Sequence, residues 1–261
     1  MTDKLHGFAV LVASVGALVL CAHSSTFALT IDEFNGGRAI LWTNDGSPNF
    51  NPLTPVWTRQ DLNDGTLLGA QRDVYVEVSG TPMPYSAIVS SGQGQLDFAT
   101  FGSINPPSAS RLMLQYDGLD PGLIDEPVDA MSLAQVDLTA AGTQSGFQLS
   151  FAGLDLASSP AMDVRVRVEG RDAGNNPVTA DQTFAVSTMD YFAPFAAFGP
   201  AAAPAFERAE SVTFWFNNAF GPNIDFTLDA IGTAVPEPST WALLGMLGAA
   251  LAGYGVRRRK R

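Results

Sequence analysis

Carboxylates are the side chains with the most scope for chemistry in the long middle part of this 261-residue sequence. Between Leu29 and Pro238 stand 25 acidic residues and eight arginines, but no histidine, cysteine or lysine. This composition excludes a Ser-His-Asp or Cys-His relay, a histidine- or cysteine-ligated zinc or copper site, and a disulfide. What remains is a pair of acids that cleaves a glycosidic bond, or a set of oxygen ligands for a hard cation such as calcium.

The composition of residues 29–238 also limits which partners are expected and how the fold can be stabilised. The formal charge of residues 29–238 is −17, which repels polyanions, so no nucleic-acid partner is expected. The same charge would keep an exported protein soluble without any specific use of the acids. Because no disulfide is available, stability must come from a buried apolar core, which a chain of this length can supply.

Acids gather in two short stretches. Asp61–Gly65 is acid-rich and ends in glycine, but it lacks the spacing and the closing glutamate of an EF-hand loop. The second stretch is punctuated by Gly118, Pro121, Gly122 and Pro127, and it contains Asp117, Asp120, Asp125, Glu126 and Asp129. Long loops at the end of a sandwich often carry function. A cation, a glycosidase acid pair and a solvated loop all stay open here.

The elements that must position these acids are β-strands. Apolar and polar residues alternate with period two in several runs, and Gly, Pro, Asn and Asp clusters separate the runs. The clearest runs are Arg72–Val78, Leu112–Tyr116, Phe147–Phe151, Met162–Glu169, Val212–Phe216 and Ile224–Leu228. Asp172–Pro177 separates two runs and is typical of a hairpin loop. The pattern predicts an all-β fold: one antiparallel β-sandwich, jelly-roll-like, over residues 29–234.

Aromatic residues offer a possible sugar-stacking surface. Trp42, Trp57, Trp215 and the segment Tyr191–Phe198 are candidates. Trp215 lies between Phe214 and Phe216, so in a strand it must face away from both. We expect the Tyr191–Phe198 segment to cover one of these two faces.

The N-terminal residues 1–28 have the layout of a secretory signal peptide. Lys4 lies in a short polar start, an apolar run covers Phe8–Cys21, and Thr26-Phe27-Ala28 offers small residues at the positions that a signal peptidase reads. We predict cleavage after Ala28, with cleavage after Ser24 as the alternative.

The C-terminal residues 235–261 combine three features. Pro236-Glu237-Pro238 is followed by an uncharged apolar run, and residues 239–256 are predicted to form a transmembrane helix. The chain then ends in a basic cluster of Arg257, Arg258, Arg259, Lys260 and Arg261. Such a cluster stays in the cytoplasm, so an exported N-terminus gives a single-pass inner-membrane intermediate with residues 29–234 outside.

This order of a Pro-Glu-Pro tripeptide, an apolar span and a terminal arginine cluster closely resembles the PEP-CTERM sorting signal. The resemblance covers about the last 25 residues. It implies recognition by an exosortase, a membrane transpeptidase, with cleavage near Pro236, Glu237 and Pro238 and transfer to the cell surface or to extracellular polymer. Pro236 and Pro238 would hold the segment extended, as a peptidase substrate should be.

A looser resemblance covers the β-rich part. Leu67–Asp73, Met189–Phe198, Val212–Phe216 and Phe226–Ile231 are similar to PEP-CTERM proteins with a shared β-rich ectodomain. The last of these segments also resemble the closing strands of galactose-binding-like jelly rolls. Asp32 and Glu33 could meet Asp229, because the first and last strands of such sandwiches are often neighbours. Galactose-binding-like folds hold a structural Ca²⁺ in a comparable place, so these three residues are the predicted metal ligands.

The sequence as a whole predicts an exported, non-catalytic surface or matrix protein. Its expected partners are a transiently bound exosortase, the inner membrane before processing, and possible extracellular polysaccharide (exopolysaccharide). Two alternatives stay open: a glycan-active enzyme that uses two carboxylates, and a purely structural matrix or biofilm component.

Overall fold

The computed structural model describes residues 29–35, 40–42, 56–61, 67–79, 86–92, 94–101, 109–118, 133–156, 159–219 and 224–235. All of them lie in one compact unit, Phe27–Val235. The strands in these ranges are β1 Leu29–Asp32, β2 Ile40–Trp42, β3 Val56–Asp61, β4 Gln71–Ser79, β5 Ser86–Gly92, β6 Gln95–Phe101, β7 Ala109–Tyr116, β8 Gly146–Asp155, β9 Met162–Arg171, β10 Pro177–Val186, β11 Asp190–Pro194, β12 Ala209–Phe216 and β13 Asp225–Ala234. Short 3₁₀ helices cover Leu68–Ala70, Phe195–Phe198 and Pro200–Ala202, and helix α1 covers Ala203–Glu207.

The strands form two antiparallel sheets. One has the order β11-β8-β13-β6-β5-β2, and β1 also pairs with β13. The other has the order β10-β9-β12-β7-β4-β3. Within these, the orders β6-β13-β8-β11 and β7-β12-β9-β10 are those of an eight-stranded jelly roll, and the earlier strands widen both sheets. The predicted antiparallel β-sandwich is confirmed.

The core lies between the two sheets and follows from the period-two patterns. In β9 every second residue is buried, beginning with Met162. The aromatic residues of β8 and β12 meet across the core, with ring centroids of Phe147 and Phe214 5.5 Å apart and those of Phe151 and Phe216 6.4 Å apart. Both pairs are edge-to-face, which adds a favourable electrostatic term to the burial of apolar area.

The hairpin between β9 and β10 is confirmed at Asp172–Asn176. The Asp172 carboxylate accepts hydrogen bonds from the backbone N–H and the side-chain amide of Asn176, at 2.8 and 3.0 Å. These two hydrogen bonds lower the pKa of Asp172 below its ordinary value, and the bond from the Asn176 side chain has the larger effect. Asn175 adopts a φ of 65°, which Asn tolerates better than most residues. The result is a regular hairpin whose second strand, β10, is the outermost strand of its sheet.

Candidate functional site

The first strand, β1, places an acidic side chain in the core. β1 pairs with β13 at Thr30–Gly232 and then at Asp32–Ile231, so the register shifts between these two pairs. A shift of this kind is a β-bulge, which bends the strand and re-aims its side chains. As a result Ile31 and Asp32 are both fully buried, although neighbours in a regular strand face opposite sides.

Two residues of the other sheet meet this acid. Arg72 of β4 places its Nη1 2.5 Å from Asp32 Oδ2, and the Tyr116 hydroxyl of β7 donates to the same oxygen at 2.9 Å. The backbone N–H of Phe34 donates to Asp32 Oδ1 at 2.7 Å. The Asp32, Arg72 and Tyr116 side chains all have an exposed fraction of 0%. We call these three residues the buried polar centre.

The turn after β1 closes over this centre. Phe34 has a φ of 52°, a left-handed conformation that is unusual for an aromatic residue. Its carbonyl accepts a hydrogen bond from the N–H of Gly94, and the Arg72 guanidinium carbon lies 5.1 Å from the centre of its ring. The bonds to Phe34 and the cation–π contact compensate for the backbone strain.

The turn that precedes Arg72 also requires an unusual backbone conformation. Gly69, just before β4, has a φ of 72°, and a Cβ there would lie 2.4 Å from Leu133 Cδ2 and 2.9 Å from Gly118 Cα. Only glycine fits a left-handed position with backbone this close. Because Gly118 lies two residues after β7, this close approach brings the start of the strand that carries Arg72 next to the end of the strand that carries Tyr116.

Burial dominates the electrostatics of the buried polar centre. Desolvation raises the pKa of Asp32, although the Arg72 charge and the hydrogen bonds from Phe34 and Tyr116 oppose the rise. Burial and the neighbouring Asp32 charge raise the pKa of Tyr116 well above its ordinary value. Since no atom of the three side chains is open to solvent, this centre joins the two sheets and cannot act on an external substrate.

The predicted calcium ligands are not brought together as a metal site. β1 and β13 are neighbours, as expected, but Asp32 points into the core and pairs with Arg72. Asp229 is exposed and accepts a hydrogen bond from Gln95 at 3.0 Å, while Glu33 accepts one from Asn35 at 3.1 Å. Throughout the described ranges, no three acidic side chains lie close enough to hold a metal ion.

The other predicted acids lie elsewhere. Asp117 is buried and accepts a hydrogen bond from Gln115 at 3.0 Å. Asp61 ends β3, whereas residues 62–65 and the acids at 120, 125, 126 and 129 lie outside the described residues. A different set of acids, Asp97, Asp155 and Asp225, lines a shallow depression on the outer face of the seven-stranded sheet. There Thr227 Oγ1 donates to Asp97 at 2.7 Å.

Trp215 faces away from the core, as its position between two buried phenylalanines predicts. It packs with Met113, separately from the main core, and the Arg165 guanidinium carbon lies 4.9 Å from its ring centre. Arg165 Nε in turn donates to Asp181 at 2.8 Å. Of the two aromatic faces, the Tyr191–Phe198 segment lies on the phenylalanine side, because Tyr191, Phe195 and Phe198 pack on the main core cluster that contains Phe214 and Phe216.

Trp215 belongs to a row of aligned positions across the six-stranded sheet. The strand register places Trp57 opposite Tyr75, Tyr75 opposite Met113, Met113 opposite Trp215, and Trp215 opposite Arg165. We call these five positions the aromatic row. Trp215 has an exposed fraction of only 8%, so any ligand at this row would have to displace Arg165 to reach that ring.

The last strand ends at the border of the described residues. The Ala234 carbonyl accepts a hydrogen bond from the N–H of Ser145 at 3.1 Å, and Thr233 is the register partner of Leu29. Val235 follows with an exposed fraction of 53%. Pro236, Glu237 and Pro238, the basic residues at 257–261 and the predicted signal peptide lie outside the described residues.

A protein-family comparison decides the nature of this C-terminal segment. Residues 234–260 match the model of the PEP-CTERM protein-sorting motif. The chain carries a PEP-CTERM sorting signal. The match begins at the last residue of β13, so the PEP-CTERM signal follows the folded sandwich with Val235 as the only residue between β13 and Pro236. Within the described ranges no helix is long and apolar enough to cross a membrane, and residues 239–256 lie outside them.

Comparisons with other known proteins do not extend this assignment beyond the C-terminal segment. No curated protein matches the chain. The cellulase MT Cel12A, derived from that of Rhodothermus marinus, is 12% identical, with 69% of this chain and 100% of the cellulase covered, at a TM-score of 0.32. The family 11 carbohydrate-binding module of the cellulase Lic26A-Cel5E of Clostridium thermocellum is 9% identical, with 76% and 95% covered, at a TM-score of 0.25. TM-scores this low do not establish a common fold.

Sequence reasoning missed two members of the buried polar centre, although a signal was present. Arg72 has the same strand phase as Val74, and Tyr116 has the same phase as Leu112 and Leu114. A charged residue on the core-facing phase of a strand must find a buried partner, because an unpaired buried charge is very unfavourable. The phase of Arg72 therefore pointed to a buried acid, but it could not say which one.

Proposed function

We propose that this protein is exported, sorted by an exosortase through Pro236-Glu237-Pro238, and released to the cell surface or the extracellular matrix as a non-catalytic β-sandwich. The observation that carries the proposal is the match of residues 234–260 to the PEP-CTERM sorting motif. The signal-peptide layout of residues 1–28 and the excess of acid support export of a soluble domain.

The geometry of the two chain ends fits such processing. Leu29 is the register partner of Thr233, so the predicted signal-peptide cleavage bond after Ala28 comes just before the start of β1, beside the end of β13 that the sorting signal follows. Backbone up to Ala234 is paired within the sheet, and a peptidase needs an extended, unpaired substrate. The exosortase would therefore have to cut after Val235, at or beyond the Pro-Glu-Pro tripeptide.

Replacing Pro236, Glu237 and Pro238 together with alanine should leave export intact and block C-terminal processing. The mass of the protein recovered from cells then increases by the retained apolar helix and basic cluster, and the protein stays in the membrane fraction. Val235→Ala is the matched control, because it changes an exposed neighbour outside the tripeptide. A mature mass that is the same for the triple variant and the natural protein would contradict sorting through this tripeptide.

Exopolysaccharide binding is the second part of the proposal, and the aromatic row is its basis. Aromatic residues on adjacent strands give a flat array on which sugar rings can stack. Trp57 and Tyr75 are register partners, and Trp215 lies two strands from Tyr75 in the same row. The alternatives are a glycan-active enzyme, for which Asp97, Asp155 and Asp225 are candidate acids because they line one depression, and a structural matrix component without a ligand.

The exported protein should be retained on bacterial exopolysaccharide without releasing new reducing ends. Retention is measured with and without calcium, and reducing ends are assayed in the same tubes. Trp215→Ala should weaken retention, whereas Met189→Ala, at an exposed site outside the aromatic row, should not. New reducing ends would favour the enzyme, and absence of both retention and cleavage would favour the structural component.

A further inference from the structure

Within the described residues, no further strand lies beyond β10 at its edge of the six-stranded sheet. β10 is the outermost strand and pairs only with β9, over ten residues from Pro177 to Val186. The register is continuous along the whole pair, without a bulge. In an antiparallel strand about half of the backbone N–H and C=O groups point to each side. Among the described residues, none provides a backbone partner for the outward groups of β10.

β10 contacts the short helices between Phe195 and Glu207, but it lacks the other features that usually protect an edge strand. Natural edges are short, interrupted by a bulge or proline, or rich in charge, because an open edge is a template for another strand. β10 is about twice the common strand length. Its proline is confined to the first position, and its one charged residue is Asp181, whose carboxylate is held by Arg165.

We propose that the β10 strands of two copies of this chain pair with each other, antiparallel, about a twofold axis at Gln182. The two six-stranded sheets then form one continuous sheet. A twofold axis through the strand pairs each residue with one on the same face, so the interface is self-complementary. This assignment does not depend on the sorting function.

Side-chain size and charge select this register. With Gln182 on the axis, Asp181 lies opposite Thr183, which can donate a hydrogen bond to its carboxylate. The large Phe184 lies opposite the small Ala180, and Val178 lies opposite Val186. An axis one residue earlier would place the Asp181 carboxylates of the two copies opposite each other, which is unfavourable. The net charge of −12 on each chain opposes association, so pairing should strengthen as salt screens that charge.

Disulfide trapping of the full chain tests the proposal. The natural cysteine is first removed as Cys21→Ala, and Gln182→Cys is then introduced. Directly opposite residues of antiparallel strands have Cα atoms about 4.5–5.5 Å apart, within the range that a disulfide spans. Thr179→Cys is the matched control, because two residues three positions from the axis would be about 20 Å apart. Mild oxidation should give at least tenfold more covalent dimer from Gln182→Cys than from Thr179→Cys.

A second pair of variants tests the register. Thr183→Asp changes an exposed residue and places a second carboxylate opposite Asp181 in both halves of the interface. It should abolish trapping through Gln182→Cys. Thr179→Asp adds the same charge on the same face opposite Ala185 and should leave most of the trapping. The proposal would be overturned by equal trapping of Thr179→Cys and Gln182→Cys, or by no trapping of Gln182→Cys. It would also be overturned if Thr183→Asp did not reduce the trapping of Gln182→Cys. Chance collision or a different strand register would then explain the covalent dimer.

Discussion

Asp32→Asn is expected to lower the free energy of unfolding of the sandwich by about 3–5 kcal/mol, because it leaves the buried Arg72 charge without its carboxylate. Arg72 Nη1 lies 2.5 Å from Asp32 Oδ2, and neither side chain has any exposed area. A whole domain is stable by only about 5–15 kcal/mol, so this one substitution removes a large share of the total. Urea unfolding of the natural and variant domains measures the loss.

The control for Asp32→Asn makes the same chemical change at an exposed site. Asp229 is exposed and accepts a hydrogen bond from Gln95, so Asp229→Asn should change the free energy of unfolding by less than about 0.5 kcal/mol. The double variant Asp32→Asn, Arg72→Met should recover part of the loss, because an apolar side chain replaces the stranded charge. A loss for Asp32→Asn as small as that for Asp229→Asn would contradict the assignment of a buried ion pair.

Much of the sandwich follows from local sequence, because a strand with one buried face shows its phase directly. The valines of Met162–Glu169 are buried at every second position, and the Asp172–Pro177 stretch forms the predicted hairpin. The neighbouring placement of the first and last strands also follows from the sandwich topology. These features depend on residues close in sequence or on rules that hold for the whole fold class.

The buried polar centre could not be predicted in the same way. Asp32 contacts Arg72 and Tyr116 across 40 and 84 residues of sequence, and period-two patterns carry no information about such pairs. A β-bulge in β1 then buries both Ile31 and Asp32, and no residue type within β1 predicts this bulge. For the same reason an acid that looked available for calcium lies in the core.

The residue that packs over the Trp215 ring could not be predicted from the sequence either. The period-two pattern correctly placed Trp215 opposite Phe214 and Phe216, but it could not identify the neighbour. That neighbour is Arg165 on the adjacent strand, at the register position directly opposite Trp215. Register depends on the whole sheet, so cross-strand partners become visible only once the strands are aligned.

Tyr116→Phe is expected to lower the free energy of unfolding at pH 7 by about 1.5–3 kcal/mol, because Asp32 loses a hydrogen bond to its charged carboxylate. The bond is 2.9 Å long and fully buried. The substitution removes one oxygen and leaves the ring packed against Phe214, so the loss reports mainly on the hydrogen bond.

The pH dependence of this loss is the sharper test. The pKa of Tyr116 in the folded protein is raised well above its ordinary value, by burial first and by the Asp32 charge second. The unfolded tyrosine titrates near pH 10, so above that pH the unfolded state gains stability by losing a proton that the folded state retains. The contribution of Tyr116 is therefore fully present below about pH 10 and declines above it, by about 1.4 kcal/mol per pH unit.

Natural protein and Tyr116→Phe should therefore converge in free energy of unfolding as the pH rises from 9 to 11, because phenylalanine has no proton to lose. Tyr191→Phe is the control, since Tyr191 is only partly buried and its pKa is raised by burial alone. Its difference from the natural protein should be small at pH 7 and should change less with pH. If the difference between natural protein and Tyr116→Phe stayed constant from pH 9 to 11, the hydroxyl would titrate alike in both states, and a buried, neutral Tyr116 bonded to Asp32 would be ruled out.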